Sequence, residues 1–207
     1  MTSQGNTSED FLAACPGPVY LMGFMGSGKT TLGRALAARF DGACYVDLDE
    51  EVERAAGMSV REVFVTRGEC CFRELEREAL RRFAGERGLI VGCGGGTPCQ
   101  PGNMELMNST GLTVLLRASD EVLLRRLLEA QAQRPLLNGM DPAALAEFVR
   151  TEQLRREPFY GQATLEFPSD LLESEEEVSA SCEAFARLVS GYLRDVRQKS
   201  RIKAETT

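Results

Sequence analysis

GFMGSGKTTLG, Gly23 to Gly33, decides how this chain is read. Gly23, Gly26 and Gly28 let the backbone fold so that successive N–H groups and the start of a following helix face an anion. Lys29 then reaches the outer phosphates, and the Thr30 hydroxyl is placed to ligate magnesium. The motif has this meaning only between a strand and a helix, and both flanks fit. The apolar run PVYLM, Pro18 to Met22, ends in the loop; Leu32, Leu36, Ala37 and Phe40 repeat with helical spacing after it. Taken alone, such a loop serves a GTP switch, an ATP motor, a metabolite kinase or a module that only binds nucleotide.

The rest of the pattern extends the α/β reading. ACYVDL (Ala43 to Leu48), LIVG (Leu89 to Gly92), LTVLL (Leu112 to Leu116) and Ala163 to Phe167 read as four further strands. Helical pattern lies between them: Glu50 to Ala56, a capping-box helix from Ser59 and Glu62 through Val65, Glu69 to Ala84, and Glu121 to Ala130. A helix capped by Asp141 with Pro142 in its first turn follows, and then one capped by Ser174 and Glu177 that ends near Arg197. Five strands alternating with helices predict a three-layer α/β sandwich around a five-stranded parallel sheet. The 207 residues and 43% apolar content fit one domain over 1–207, with a loose lead-in at 1–17, a surface loop at 130–141 and a frayed tail at 198–207.

Composition removes whole classes of chemistry. The chain contains no histidine, which excludes Ser-His-Asp and Cys-His catalysis and makes a carboxylate the natural general base. A net charge of -7, from 31 acidic and 24 basic residues with no basic run, argues against nucleic acid as a partner. The opening MTSQGNTSED is polar and acidic, FLAAC is too short for an export signal, and no segment approaches a membrane span. Seven cysteines without CxxC pairing read as reduced thiols of a cytoplasmic protein.

Several residues gather near the predicted strand ends. Asp47 and Asp49 fall at the end of the second strand, where alternate residues point the same way. They fit either a metal and substrate pair or an N-cap beside a solvated carboxylate. Arg73 and Glu76 share a helix face, so Arg73 is either a surface charge or an anion clamp. Gly94, Gly95 and Gly96 follow a buried strand, and bare N–H groups there admit close approach of a ligand. Arg134 sits in the surface loop, where a cation can swing over a transferred phosphate, while Arg156 also suits a helix C-terminus.

In order and spacing, GFMGSGKTTLG, DLDEEVERAAGMSVREVF, RGECCFRELE, GGG, RPLL and RREPFY resemble the shikimate kinase family. The resemblance implies a P-loop kinase fold with a mobile lid. It assigns Gly26, Ser27, Gly28, Lys29, Thr30 and Thr31 to ATP, and Thr30 to Mg2+, with Asp47 supporting the metal through water. Asp49 holds shikimate hydroxyls and orients or deprotonates the attacking one. Arg73 and Arg156 clamp the carboxylate, Glu76 holds Arg73, and Gly94, Gly95 and Gly96 complete the pocket. Arg134 becomes the lid arginine that contacts the phosphates, so Lys29, Asp49 and Arg134 form the catalytic set. The reaction implied is transfer of the ATP γ-phosphoryl group to the 3-hydroxyl of shikimate by a cytoplasmic monomer. Two departures stand out: Cys70 and Cys71 lie between Glu69 and Phe72, where ordinary helix-surface residues are expected and the register of Arg73 is kept, and the second concerns adenine. LLEAQAQ precedes Arg134 where the family usually carries a basic residue against adenine, leaving Arg126 the nearest, and SDLLESEEEV on the other side is acidic. A gluconate kinase of the same fold and a regulatory nucleotide-binding module are the alternatives; a GTPase switch would carry an NKxD element, which is missing.

Overall fold

The computed structural model describes residues 11–131 and 137–205. Among them, five strands form one parallel sheet in the order β2-β3-β1-β4-β5: β1 Val19–Met22, β2 Cys44–Asp47, β3 Leu89–Gly92, β4 Leu112–Arg117 and β5 Leu165–Pro168. The sheet is buried on both faces, which is why its inner strands read as unbroken apolar runs rather than alternating ones. Val19, Leu21, Ile90 and Val114 enter one core, while Tyr20, Met22, Val91 and Leu115 enter the other.

The first core is covered by α1 Phe11–Ala14, α2 Lys29–Arg39 and α8 Glu175–Glu205. α8 supplies Cys182, Phe185, Ala186, Val189 and Leu193, a stripe at helical spacing. Across the sheet lie the second half of α4 Val60–Arg82 and α5 Asn103–Thr110, through Ala79, Leu80, Met104 and Met107. α3 Leu48–Ala56 packs on α4 through Val52, Val63 and Phe72. α6 Asp120–Glu129 and α7 Pro142–Tyr160 form a further cluster with Phe24.

Both terminal readings need correction. The lead-in is not loose from residue 11 onward: Phe11 and Leu12 are buried, and the Phe11 ring meets Phe40 edge-on at 5.1 Å and Phe185 at 6.0 Å. A one-turn helix has no period to detect, so its burial comes from tertiary contact alone. At the other end α8 runs to Glu205 rather than stopping near Arg197. Its apolar stripe fades after Leu193, yet no Gly or Pro interrupts the good helix formers that follow. The helix α5 after the three glycines was not expected from the sequence, although Met104 and Met107 face the core one turn apart.

α4 contains a break at Gly68, where φ is 79° and ψ 170°. The sequence reading of two helices, one capped by Ser59 and Glu62 and one from Glu69, matches the two halves. Ser59 and Glu62 form the reciprocal capping box.

Candidate active site

The phosphate-loop motif joins β1 to α2 at the carboxyl edge of the sheet, where ligands of open parallel sheets gather. Gly26 and Gly28 have φ of 82° and 91°, values that side chains resist, and Gly28 is also the N-cap of α2. Lys29 Nζ donates to the carbonyls of Gly23 and Phe24, each at 2.9 Å, and lies 3.4 Å from Ser27 Oγ. Lys29 thus braces the loop it belongs to, while Ser27 is buried beneath it. A cleft of about 360 Å³ opens in front, lined among others by Lys29, Thr30, Thr31, Asp47, Asp49 and Gly94.

Asp47 ends β2 beside Gly92 in the parallel register, which carries it to the same edge. Its Oδ1 accepts the N–H of Asp49, the N-cap bond of α3. Its Oδ2 accepts from Tyr45 Oη at 3.0 Å and from Thr30 Oγ1 at 3.4 Å. Asp47 therefore fits both readings offered for it, capping a helix with one oxygen and facing the cleft with the other. Strand alternation is not what aligns the two aspartates. β2 stops at Asp47, and Asp49 lies in the first turn of α3, which turns its carboxylate into the cleft. Burial, then the negative charges of Asp47 and Glu76, push the Asp49 carboxyl up to about 6, against the pull of Lys29 and Arg73.

The three glycines serve space more than backbone freedom, since none has positive φ. A Cβ at Gly94 would sit 3.1 Å from Asp49 Oδ1; at Gly95, 2.8 Å from Arg156 Nη1; at Gly96, 2.9 Å from Arg73 Nη2. Each glycine leaves room for a different polar side chain. This need for space is separate from the sequence reading, in which a ligand closely approaches bare N–H groups.

Arg73 is no free surface charge: Nη1 donates to Glu76 Oε2 at 2.9 Å, and Glu76 is fully buried. Arg156, 8% exposed, stacks over the Phe24 ring at 5.1 Å and donates to Glu152 at 2.7 Å. Its Nε is buried with no hydrogen-bond partner among the described residues. Hydrogen bonds from Arg155 and Arg156 hold the Glu152 carboxyl down at about 2.

Other contributors were missed from the sequence. Tyr45 slots its ring against Gly33 and Gly92, where a Cβ would come within 2.3 Å and 2.2 Å of it, and aims its hydroxyl at Asp47. Tyr160 donates to the carbonyl of Gly95 at 2.8 Å, one helical turn beyond Arg156 on the same face. That spacing within RREPFY was a readable signal. Arg126, singled out in the sequence only as the nearest basic residue before Arg134, donates to the carbonyls of Gly26, Ser169 and Asp170, tying the phosphate loop to the chain between β5 and α8. Arg134 lies outside the described residues.

Thr30 Oγ1 and Asp47 Oδ2 are the hard oxygen donors at the loop. A hydroxyl and one carboxylate suit Mg2+, which keeps waters and takes phosphate oxygens rather than a full protein cage. No helix among the described residues is long and apolar enough to cross a membrane.

Comparison with known proteins agrees with this geometry. A relative from Bacteroides thetaiotaomicron, a shikimate kinase, is 41% identical over 171 residues, covering 83% of this chain and 97% of its own. A crystal structure of shikimate kinase from that organism superposes with a TM-score of 0.79 at 40% identity, covering 84% of this chain and 98% of that one. The Acinetobacter baumannii shikimate kinase, solved in complex with shikimate, gives 0.73 at 29% identity over 89% and 98% of the two chains. The family model for shikimate kinase matches residues 25–186, and the chain belongs to the shikimate kinase family.

Proposed function

We propose that this chain transfers the γ-phosphoryl group of ATP to the 3-hydroxyl of shikimate, giving 3-phosphoshikimate and ADP. The observation that carries the reading is the convergence of Asp49, Arg156 and Arg73 on Gly94, Gly95 and Gly96, beside the phosphate loop. A carboxylate for hydroxyls and two guanidiniums for a carboxylate describe a small hydroxylated acid. The phosphate loop supplies the donor half.

In this reading the loop N–H groups and Lys29 hold the triphosphate, with Gly26, Ser27, Gly28, Thr30 and Thr31 shaping the cradle. Thr30 and Asp47 would hold Mg2+, which when bound neutralises phosphate charge. Arg73 and Arg156 grip the acid and fix the ring, so that the 3-hydroxyl faces Asp49. A carboxyl poised near 6 is ionised at neutral pH yet basic enough to take a proton. The hydroxyl O–H bond breaks toward Asp49 as its oxygen bonds to the γ-phosphorus. The bond from that phosphorus to the bridging oxygen breaks, and ADP leaves with the electron pair. Arg134 is assigned to the phosphates and to lid closure on the family pattern alone. Seven free thiols support a reducing cytoplasmic setting, and we assign a monomer of one domain as the working form.

The test is a coupled ADP-release assay with Mg2+ and ATP, offering shikimate, gluconate, nucleoside monophosphates or no acceptor. Turnover is expected with shikimate alone. Turnover with gluconate and none with shikimate would overturn the assignment.

A further inference from the structure

We infer that Thr97 is a positioning residue for the acid substrate, acting through Glu76 on Arg73. The inference rests on the reading above that Arg73 grips the shikimate carboxylate. Thr97 begins the 3-10 turn Thr97–Cys99 behind the three glycines and is fully buried. Its backbone is fixed at both ends: its N–H donates to the carbonyl of Gly94 at 3.0 Å, and its carbonyl accepts from Asn103 Nδ2 at 3.0 Å. With the backbone held, the hydroxyl has one rotor, and it donates to Glu76 Oε1.

Glu76 is fully buried, and its two oxygens have different owners. Oε1 accepts the hydrogen bond of Thr97 Oγ1, and Oε2 accepts that of Arg73 Nη1 at 2.9 Å. Two donors on two oxygens fix the plane of the carboxylate as well as its position. A buried carboxylate that loses one donor bears the desolvation cost of the freed oxygen, and its side chain turns to recover a partner.

Arg73 has somewhere else to go. Glu69, far more exposed, already accepts from Arg73 Nε and Nη2, both at 3.2 Å. The guanidinium is therefore shared between a buried carboxylate that holds it at Gly96 and a surface carboxylate one turn back along α4. The Thr97 hydroxyl favours the buried one. Gly94 shows how closely this brace adjoins the chemistry, since its missing Cβ would lie 3.2 Å from Thr97 Oγ1, 3.4 Å from Glu76 Oε1 and 3.1 Å from Asp49 Oδ1.

Thr97→Val keeps the shape and deletes the hydroxyl, whereas Thr97→Ser keeps the hydroxyl. The valine variant is expected to raise KM for shikimate and weaken calorimetric shikimate binding about tenfold, with KM for ATP unchanged. Serine should restore both to within about twofold, and in an Arg73→Ala background the valine change should add nothing further. Wild-type shikimate affinity in Thr97→Val, or equal losses for ATP and shikimate, would overturn the inference while leaving the kinase reading intact. Additive effects of Thr97→Val and Arg73→Ala would do the same. A wild-type protein that neither binds nor phosphorylates shikimate would remove both.

Discussion

Under the proposed function, Asp49 is a carboxyl that serves turnover at the expense of stability. Its folded pKa is raised from 3.8 to about 6, mainly by burial, so folding favours the protonated form. The sign follows directly. The stability this group contributes is full below about pH 4, where it is neutral in both states, and is lost as pH rises through about 6. Asp49→Asn removes a charge the fold resists and should raise the thermal midpoint near neutral pH, by at most about 3 kcal/mol in stability. The gap from wild type should close as pH falls below about 4 in a melting series. Turnover should fall about 10²–10⁴-fold in the same variant, the usual worth of a general base. In the wild type, kcat/KM should decline below about pH 6, as Asp49 takes up a proton before substrate arrives. A variant both less active and less stable at neutral pH would contradict this account of the carboxyl.

At the scale of elements, the break in α4 decides where Arg73 points. Gly68, at φ 79° and ψ 170°, occupies a region open to glycine almost alone. Gly68→Ala should cost about 1–3 kcal/mol in denaturant unfolding and raise KM for shikimate more than KM for ATP, because it redirects the half of α4 that carries Arg73. The short α1 is the opposite case, an element that anchors the fold and lines no part of the cleft. Phe11→Ala should lower stability by about 3 kcal/mol with both KM values unchanged. These two elements also mark what the sequence discloses and what it withholds. Ser59 and Glu62 announce the first half of α4 because capping is local chemistry. The burial of Phe11 depends on Phe40 and Phe185, far away in sequence, and no window of residues contains that fact. Arg73, Asp49 and Arg156 were legible as one acid pocket only through the family resemblance, because no local spacing joins them. Only the folded sheet edge shows that each needs a particular glycine. Thr97 and Tyr45 carry no motif, since a buried threonine and a strand tyrosine are ordinary until their hydroxyls are seen on Glu76 and Asp47.

For the whole molecule, the proposed function makes the site two half-sites on one sheet edge. The donor half hangs from β1 and α2, and the acceptor half from α3, α4, α7 and the turn after β3. Asp47 joins them, with one oxygen toward Thr30 and the other capping the helix that carries Asp49. Binding to the native state alone stabilises it by mass action, so each half can be read as a thermal shift without any turnover. At a ligand concentration about 100 times its Kd, either shikimate or Mg2+ with ADP should stabilise the wild type by about 2.7 kcal/mol. Arg73→Ala should lose most of the shikimate shift and keep the nucleotide shift, and Lys29→Ala should do the reverse. Each variant first needs a melt without ligand, because Lys29 braces the carbonyls of Gly23 and Phe24 and Arg73 neutralises a buried Glu76. The prediction concerns the ligand-induced increment above that baseline. Loss of both increments in either variant would mean that the halves fold as one unit around their ligands. The division of labour between the phosphate loop and the glycine-lined acid pocket would then be wrong.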